Sequence, residues 1–574
     1  MQSLALIDKF EGDFADVALM MEAGRVSPDL TEEEMAQLKP EQYRDVFEKP
    51  NKFNEAWNHP SPFQRKRWRE GILKELRKMI EHKVWVKVKR SSIPRDRRLV
   101  KCKWVFEIKR NGIFRCRLVA CGYSQVGGVD FDQIYNSVVN DVTFRIMLTA
   151  KLVWGLQSGL FDVETAFLNA DMDKELYMAI PEGLDAEADE CLKLLKATYG
   201  TVQAARAFGL WFAEKMKKIG FKQSSADPCL FIRRNELGLV MVIIYIDDGY
   251  FQGDKPAMDQ MIEQLRAEGI KLKVEDSMED YLSCQVLFSK DGKRGWLGQP
   301  HMVKKLLKSF GDDIKGLRKT KTPGTPGLIL TRPETEDNLL DEGKQRRLRS
   351  GVGMLLYLVK HSRPDIANAV RELTKCMDKG TLEAFKELLR VIKFVADTKD
   401  LGLKMFPTIG FMALVWEILL LSDSDWAGDK QTRRSVSGFI MFLCGVPIMW
   451  RSKQQGQCAL SSTEAEYYAV SEAVKEILFV VQVLLDLGIA VKTPIIVKVD
   501  NMGAVFMTNN ASSSARTRHV DTRWHFIREL QDEKLVEVVF VRTQFNWSDG
   551  MTKNVATEVC ETNQGEMVVD KGEL

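Results

Sequence analysis

The sequence predicts an α+β chain built from several domains, and three observations carry that reading. At 574 residues the chain is too long for one hydrophobic core, and its length suggests roughly three or four domains. Runs with strand-like alternation and runs with helical periodicity are mixed along it rather than confined to separate halves. Between Thr320 and Asp337 a stretch beginning Thr-Lys-Thr-Pro-Gly-Thr-Pro-Gly reads as a linker between two such mixtures.

The elements follow in order. Residues 1–55 form an acidic leader with Glu32-Glu33-Glu34 and few β-formers, marginally helical or disordered. From Trp57 to Ile80 apolar residues recur at helical spacing; Val84 to Val88 and Lys103 to Ile108 then alternate as strands, and Asn111-Gly112 turns the second into Ile113 to Ala120. A helix is expected over Thr143 to Trp154, a strand over Leu156 to Val163, a helix around Ala204 to Ile219 and a strand over Leu239 to Ile246. After the linker come three helices, Lys344 to Lys360, Pro364 to Met377 and Leu382 to Ala396, and then an α/β pattern from Phe411 to Lys553.

Composition narrows the class. Hydrophobic content of 45% and charged content of 28% are ordinary for a soluble globular protein. The formal charge of +3 hides a basic segment, residues 64–117, in which Arg65-Lys66-Arg67 and Arg95-Asp96-Arg97-Arg98 are interleaved with Trp68, Trp85, Trp104, Phe106 and Phe114. That mixture suits either a phosphate-backbone surface or a solvated face over a small core. Ten cysteines without a C-x-x-C pair, the nearest being Cys102, Cys116 and Cys121 with no histidine at ligand spacing, argue against zinc and for reduced thiols in an intracellular compartment. Met1 to Phe10 lacks a secretory pattern, and the longest apolar stretch, Phe411 to Leu421, contains Glu417 and is too short to span a membrane.

Two acidic constellations stand out. In the first, Tyr245-Ile246-Asp247-Asp248 ends an apolar, β-branched run and meets Gly249. Adjacent carboxylates on a buried strand tip are costly unless paired, and hard oxygen ligands suit magnesium. Asp162, after the strand Leu156 to Phe161, is the natural third ligand; alone it would read as a turn residue, but beside the Asp247-Asp248 tip it points to two-metal phosphoryl transfer, with ions roughly 3.5 to 4 Å apart. In the second, Asp423 and Asp425 end one apolar strand, Glu464 and Glu466 open a helix, Asp500 ends another strand, and Asp549 follows Asn546-Trp547-Ser548. As a lone motif, Ser461-Ser462-Thr463-Glu464 is a helix start, with Ser462 or Thr463 as cap. With the other acids it suits a second two-metal site.

At these motifs the chain resembles a known family. LFDVETAFLNA, ELYMAIPEGL, ATYGTVQAARAF and IIYIDDG, preceded by KCKWVFEIKRNG and RCRLVACGYSQ and followed by YLVKHSRPDIANAVREL, resemble in the same order the reverse transcriptase of copia-type (Pseudoviridae) LTR retrotransposons. ALSSTEAEYYAV with the surrounding aspartates is similar to that family's ribonuclease H. The likeness runs from Trp57 to Lys553 and identifies the chain as the reverse transcriptase–ribonuclease H portion of a Pol polyprotein.

The resemblance implies a right-hand polymerase (fingers, palm, thumb/connection) followed by an α/β ribonuclease H-like domain. The expected divisions are 56–155 for fingers with the start of the palm, 156–295 for the palm, 296–408 for thumb and connection, 409–556 for the ribonuclease H-like domain and 557–574 for a tail. It implies two Mg2+ or Mn2+ ions per centre, held by Asp162, Asp247 and Asp248 in the first and by Asp423, Glu466, Asp500 and Asp549 in the second, with Asp425 and Glu464 as alternates. Arg115 and Arg117 become candidates for a triphosphate clamp, with Lys109 weaker. Phe167 is either the aromatic that excludes a ribose 2′-hydroxyl or a core residue. Gln203 and Tyr245 are expected at the nucleotide pocket. His519 and His525 read as phosphate contacts or as a packed helix surface. The implied partners are an RNA template, a DNA primer, an RNA–DNA hybrid, deoxynucleoside triphosphates and other Pol products, with no membrane. The implied setting is a cytoplasmic virus-like particle with later delivery of DNA to the nucleus.

Some positions depart from the family. ATYGTVQAARAF lacks the usual leucine, lysine and proline, and the run Ile409 to Leu421 is unusually hydrophobic. No integrase-like triad or zinc-binding His/Cys cluster is found, so the chain is expected to be the C-terminal polymerase portion of a longer polyprotein or a truncated copy. The rival reading is a degenerate or domesticated protein that binds nucleic acid without catalysis; the complete acidic set favours catalysis.

Overall fold

The computed structural model describes residues 37–109, 111–275, 281–333, 335, 338–509 and 521–574. Most of the expected leader, and His519, lie outside the described residues. The chain divides into two compact units, one of Met1–Val138, Val163–Ile219 and Glu268–Lys271, the other of Val139–Asp162, Gly220–Ala267 and Leu272–Leu574.

In the first unit the helix Pro62–Glu81 begins at Ser61, whose hydroxyl accepts from the Gln64 amide, with proline in its first turn. Its buried residues Trp68, Ile72, Leu76 and Met79 fall on one face, packed in one core with the hairpin Cys102–Ile108 and Phe114–Ala120. A Cβ on Gly71 would meet the Cys116 sulfur at 2.8 Å, so only glycine allows so close an approach of helix to hairpin. A second sheet carries the strands Trp85–Lys89, Glu190–Lys196, Asp171–Met178 and Leu99–Val100 in that order. Trp68, Trp104, Phe106 and Phe114 are all buried. These four rings belong to the core, whereas Trp85 is half-buried.

The second unit holds a six-stranded sheet in the order Leu272–Glu275, Gln157–Val163, Asp248–Gly253, Gly238–Tyr245, Leu230–Asn235 and Lys222–Gln223. The apolar run read as a buried strand is its interior, and six of the eight residues of Gly238–Tyr245 are buried. Against it packs the helix Asp141–Trp154, capped by the Asn140 side chain at one end and ended by Gly155 in the left-handed region at φ 65°. Further along, Pro300–Ile314, Glu342–His361, Ala367–Thr374 and Leu382–Asp397 make a helical bundle with its own core.

A five-stranded sheet follows, ordered Val446–Gln454, Val436–Leu443, Ile418–Asp425, Ile495–Val499 and Val536–Phe540. The first three strands are antiparallel neighbours, and the last two run parallel to Ile418–Asp425. The helix Ser462–Asp486 lies against it. Its cap is Ser461, whose hydroxyl accepts from the Glu464 amide at 3.1 Å, so the expected Ser462 and Thr463 already belong to the first turn.

Two divisions differ from expectation. Gly295–Gly298 is one strand crossing the boundary placed between 295 and 296. Residues 557–574 are no loose tail: Thr557–Met567 is a helix, and Val568–Asp570 pairs with Leu401–Met405 to close a four-stranded sheet with Gln285–Phe288 and Gly295–Gly298. The consecutive apolar residues Met567, Val568 and Val569 are too short a run to register as a strand beside their polar flanks. No helix among the described residues is long and apolar enough to cross a membrane.

Candidate active sites

The first acidic set sits on a tight hairpin. Tyr245 and Asp248 pair across it, leaving Ile246 and Asp247 as the turn. Ile246 has φ 58°, a conformation that β-branched residues rarely adopt and that stores about 1–3 kcal/mol of strain. The next strand brings Asp162 directly opposite Asp248. Gly249 is required here, because a Cβ would fall 2.2 Å from the ring of buried Phe161. Asp162 and Asp248 are exposed and Asp247 is half-buried. The expectation of buried carboxylates is therefore corrected: the strand is buried, but its tip opens to solvent. What asks for a cation is two like charges facing each other across a strand pair, an arrangement that is destabilising on its own. Carboxylate oxygens are the hard donors that Mg2+ and Mn2+ take, though the three of this set do not converge to within 4.8 Å of one another as those of the second set do. Tyr245 is half-buried against the core behind the hairpin.

The remaining candidates of this set lie in the other unit. Arg115 and Arg117 share the half-buried face of Phe114–Ala120. Arg117 pairs with Glu107 at 3.3 Å and stands 5.7 Å from the Tyr199 ring centre. Phe167 meets the same ring edge-on at 5.3 Å. Tyr199 thus gathers two predicted residues, and its place in the ATYG motif was the available signal. Gln203 is buried: its amide donates to the Asp130 carbonyl at 3.1 Å and to Asp173 at 3.4 Å, and its oxygen accepts from Gln125 at 3.0 Å. These hydrogen bonds tie the start of the helix Ala204–Lys218 to Gln125, Asp130 and the strand Asp171–Met178.

The second acidic set is different in kind. Ser422 and Val499 are paired on parallel strands, so Asp423 and Asp500 follow at neighbouring carboxyl ends. Asp549 opens the short helix Asp549–Thr552. Oxygens of Asp423, Asp500 and Asp549 lie within 4.8 Å of one another, the one such group of metal-ligating side chains among the described residues. Asp423, Glu466 and Asp549 are buried and Asp500 half-buried. Burial, with the charges of Asp549 and Asp500, drives the Asp423 carboxyl well above its ordinary range. Burial, with Asp423 and Asp500, does the same to Glu466. Glu466 Oε1 accepts from the Ser424 amide at 3.0 Å, while Oε2 is buried without a partner. A buried orphan oxygen beside three clustered carboxylates fits a divalent cation.

The alternates fall elsewhere. Glu464 Oε2 accepts from the Leu460 amide at 2.8 Å and Oε1 from the Tyr468 hydroxyl at 2.7 Å, which makes it part of the helix start. Asp425 is half-buried; burial raises its carboxyl, and Lys553 and Arg371 pull it back. Two neighbours escaped sequence reasoning. The Thr552 hydroxyl donates to Asp423 Oδ2. Lys553 lies 3.3 Å from Asp549 Oδ1; burial works against its charge, but Asp423 and Asp549 outweigh it and hold the ammonium above its usual range. Its spacing of four from Asp549 was the signal. His525 is exposed.

The six-stranded sheet with its paired aspartate hairpin is thus followed along the chain by a mixed five-stranded sheet with acids at its parallel strand ends. Residues 82–323 match the family described as reverse transcriptase (RNA-dependent DNA polymerase). The chain is 28% identical over 516 residues to the Retrovirus-related Pol polyprotein from transposon TNT 1-94 of Nicotiana tabacum, covering 88% of this chain and 38% of that protein. It is 30% identical over 496 residues to the corresponding polyprotein from transposon RE1 of Arabidopsis thaliana, covering 85% and 33%. Over most of its own length the chain is similar to these retrotransposon Pol polyproteins, and it spans about a third of their length. A solved foamy viral protease-reverse transcriptase in complex with dsDNA aligns over 94% of this chain and 93% of its own at 11% identity and a TM-score of 0.43.

Proposed function

We propose that this chain extends a DNA primer on an RNA or DNA template and hydrolyses the RNA of the resulting hybrid. The observation that carries the reading is the Asp162–Asp248 pairing beside Asp247, within the segment that matches the reverse transcriptase family. Asp162, Asp247 and Asp248 would hold two Mg2+ or Mn2+ ions at the first centre, and Asp423, Glu466, Asp500 and Asp549 two at the second. Bound ions supply an activated hydroxyl or water and neutralise charge developing on the phosphate. The strained turn at Ile246 orients the Asp247 and Asp248 carboxylates before substrate arrives. At the second centre Thr552 fixes Asp423 by its hydrogen bond, and Lys553 offsets part of the clustered negative charge. Arg115 and Arg117 are proposed to meet the triphosphate of the incoming deoxynucleotide and Phe167 its sugar; Tyr245 is proposed separately as a nucleotide contact. The setting proposed is a cytoplasmic particle, with the DNA product later delivered to the nucleus.

The second reading, nucleic-acid binding without catalysis, gains some support from Gln203, whose hydrogen-bonding groups are engaged by protein partners. Primer extension with magnesium on an RNA template separates the two. The proposal expects extension by the parent chain and its loss in Asp247→Asn and Asp248→Asn; binding of primer–template with no extension by the parent would leave the second reading.

A further inference from the structure

The helix Asp141–Trp154 is buried at 11 of its 14 positions, which requires cover on more than one side. One side is the polymerase-type sheet: Phe144 meets the Tyr250 ring at 5.4 Å, and the Gln252 amide donates to the Met147 carbonyl at 2.8 Å. The other side is the ribonuclease H-like sheet and its connection. There the buried Arg145 guanidinium donates to the Ile448 carbonyl at 2.8 Å and the His361 carbonyl at 3.2 Å, lying 4.1 Å over the Trp450 ring.

The far end of the helix is held separately. The Met412 amide donates to the Val153 carbonyl at 2.9 Å, the Trp154 indole donates to the Ala413 carbonyl at 3.1 Å, and the Trp154 and Trp416 rings lie 5.5 Å apart. This is what the unusually apolar run from Ile409 to Leu421 does: it straps the second sheet to the helix. A third tie joins the edge of the first sheet, where the Ser224 hydroxyl and the Ser225 amide donate to Asp486 Oδ2 at 2.6 and 3.0 Å. A single hydrophobic core runs through all of these elements.

We infer that Arg145, the 411–416 strap and the Asp486 bridge lock the polymerase-type sheet and the ribonuclease H-like sheet into one rigid body, so that the two acidic centres keep a fixed spacing. Three attachments, at both ends of one helix and at a sheet edge, leave no hinge between the sheets. Arg145 acts as a positioning residue. It is a better lock than lysine because its planar fork reaches several carbonyls while lying flat on an indole. The consequence for a bound duplex rests on the function proposed above: RNA cuts made during extension should fall at one distance from the primer 3′ end.

Two readouts test this on the full chain. In hydrogen exchange, amides of residues 141–154 and 446–454 should exchange in one cooperative step in the parent and in separate steps in Arg145→Met; separate steps in the parent would overturn the rigid body, whatever the chain's activity. In coupled extension and cutting, the parent should give one dominant RNA spacing. Arg145→Met with Asp486→Asn should broaden it several-fold, with extension and cutting of a preformed hybrid close to the parent's. Should Arg145→Met fail to fold, Asp486→Asn alone carries the test. Efficient cutting by the parent with no preferred spacing would overturn the inference and leave the proposed function standing, whereas a parent without extension or cutting would sink that function and leave the exchange result to decide.

Discussion

The two acidic centres solve the same electrostatic problem in opposite ways. The hairpin set keeps Asp162 and Asp248 exposed, so desolvation costs them little, and backbone geometry does the positioning, through the left-handed Ile246 and the close approach at Gly249. The second set buries Asp423, Glu466 and Asp549 together, so that burial and mutual repulsion favour their protonated forms. The contrast teaches that carboxylates of one chain, proposed for the same metal chemistry, differ in what they cost before a cation arrives: strain in the backbone at one, desolvation at the other.

The largest effect expected is at the hairpin. Asp247→Asn should lower the rate of primer extension by about 10³-fold or more, the scale of the charge stabilisation a metal site supplies, as measured by single-nucleotide incorporation. Near-parental incorporation would remove that residue from the site.

The next effect should appear only at the buried set. A carboxyl held neutral by burial binds its proton more tightly in the folded than in the unfolded chain. Metal-free stability should therefore be intact at and below the ordinary carboxylate range and fall as pH rises above it, by up to about 1.4 kcal/mol per pH unit for each such group. Mg2+ or Mn2+ should offset that loss, so melting temperatures with and without the ion should diverge as pH rises. In Asp423→Asn the divergence should shrink, whereas in Asp248→Asn it should persist; equal shrinkage in both would erase the contrast between the centres.

Smaller effects probe the backbone. Gly249→Ala should cost about 1–3 kcal/mol, since Phe161 is buried and has nowhere to retreat, read by denaturant unfolding. Gln203→Ala should cost about 1–2 kcal/mol through the groups it leaves unpaired. A change in the nucleotide KM without that loss of stability would support Gln203 as a residue of the nucleotide pocket.

Much of this was legible in the sequence because buried strands ending in acids are local signals. The apolar runs before Asp247 and Asp423 and the helix that Glu466 opens all lie where periodicity indicates. What escaped depends on contacts between distant residues. Choosing Glu466 over Glu464 for the cluster needs the knowledge that Glu464 serves Leu460 and Tyr468. The exposure of the hairpin tip is set by strand pairing, and the closing strand Val568–Asp570 exists only because Leu401–Met405 offers it an edge. Arg145 was invisible for the same reason: inside a helix it reads as a surface residue until a second sheet covers it.

The central claim is that the chain holds two separate active centres, and crossing the two assays against two substitutions tests it most directly. Asp248→Asn should lose extension yet still cut RNA in a preformed hybrid, and Asp500→Asn should extend a primer yet leave the RNA intact. Loss of both activities in either variant, or RNA cutting that survives Asp500→Asn, would contradict it.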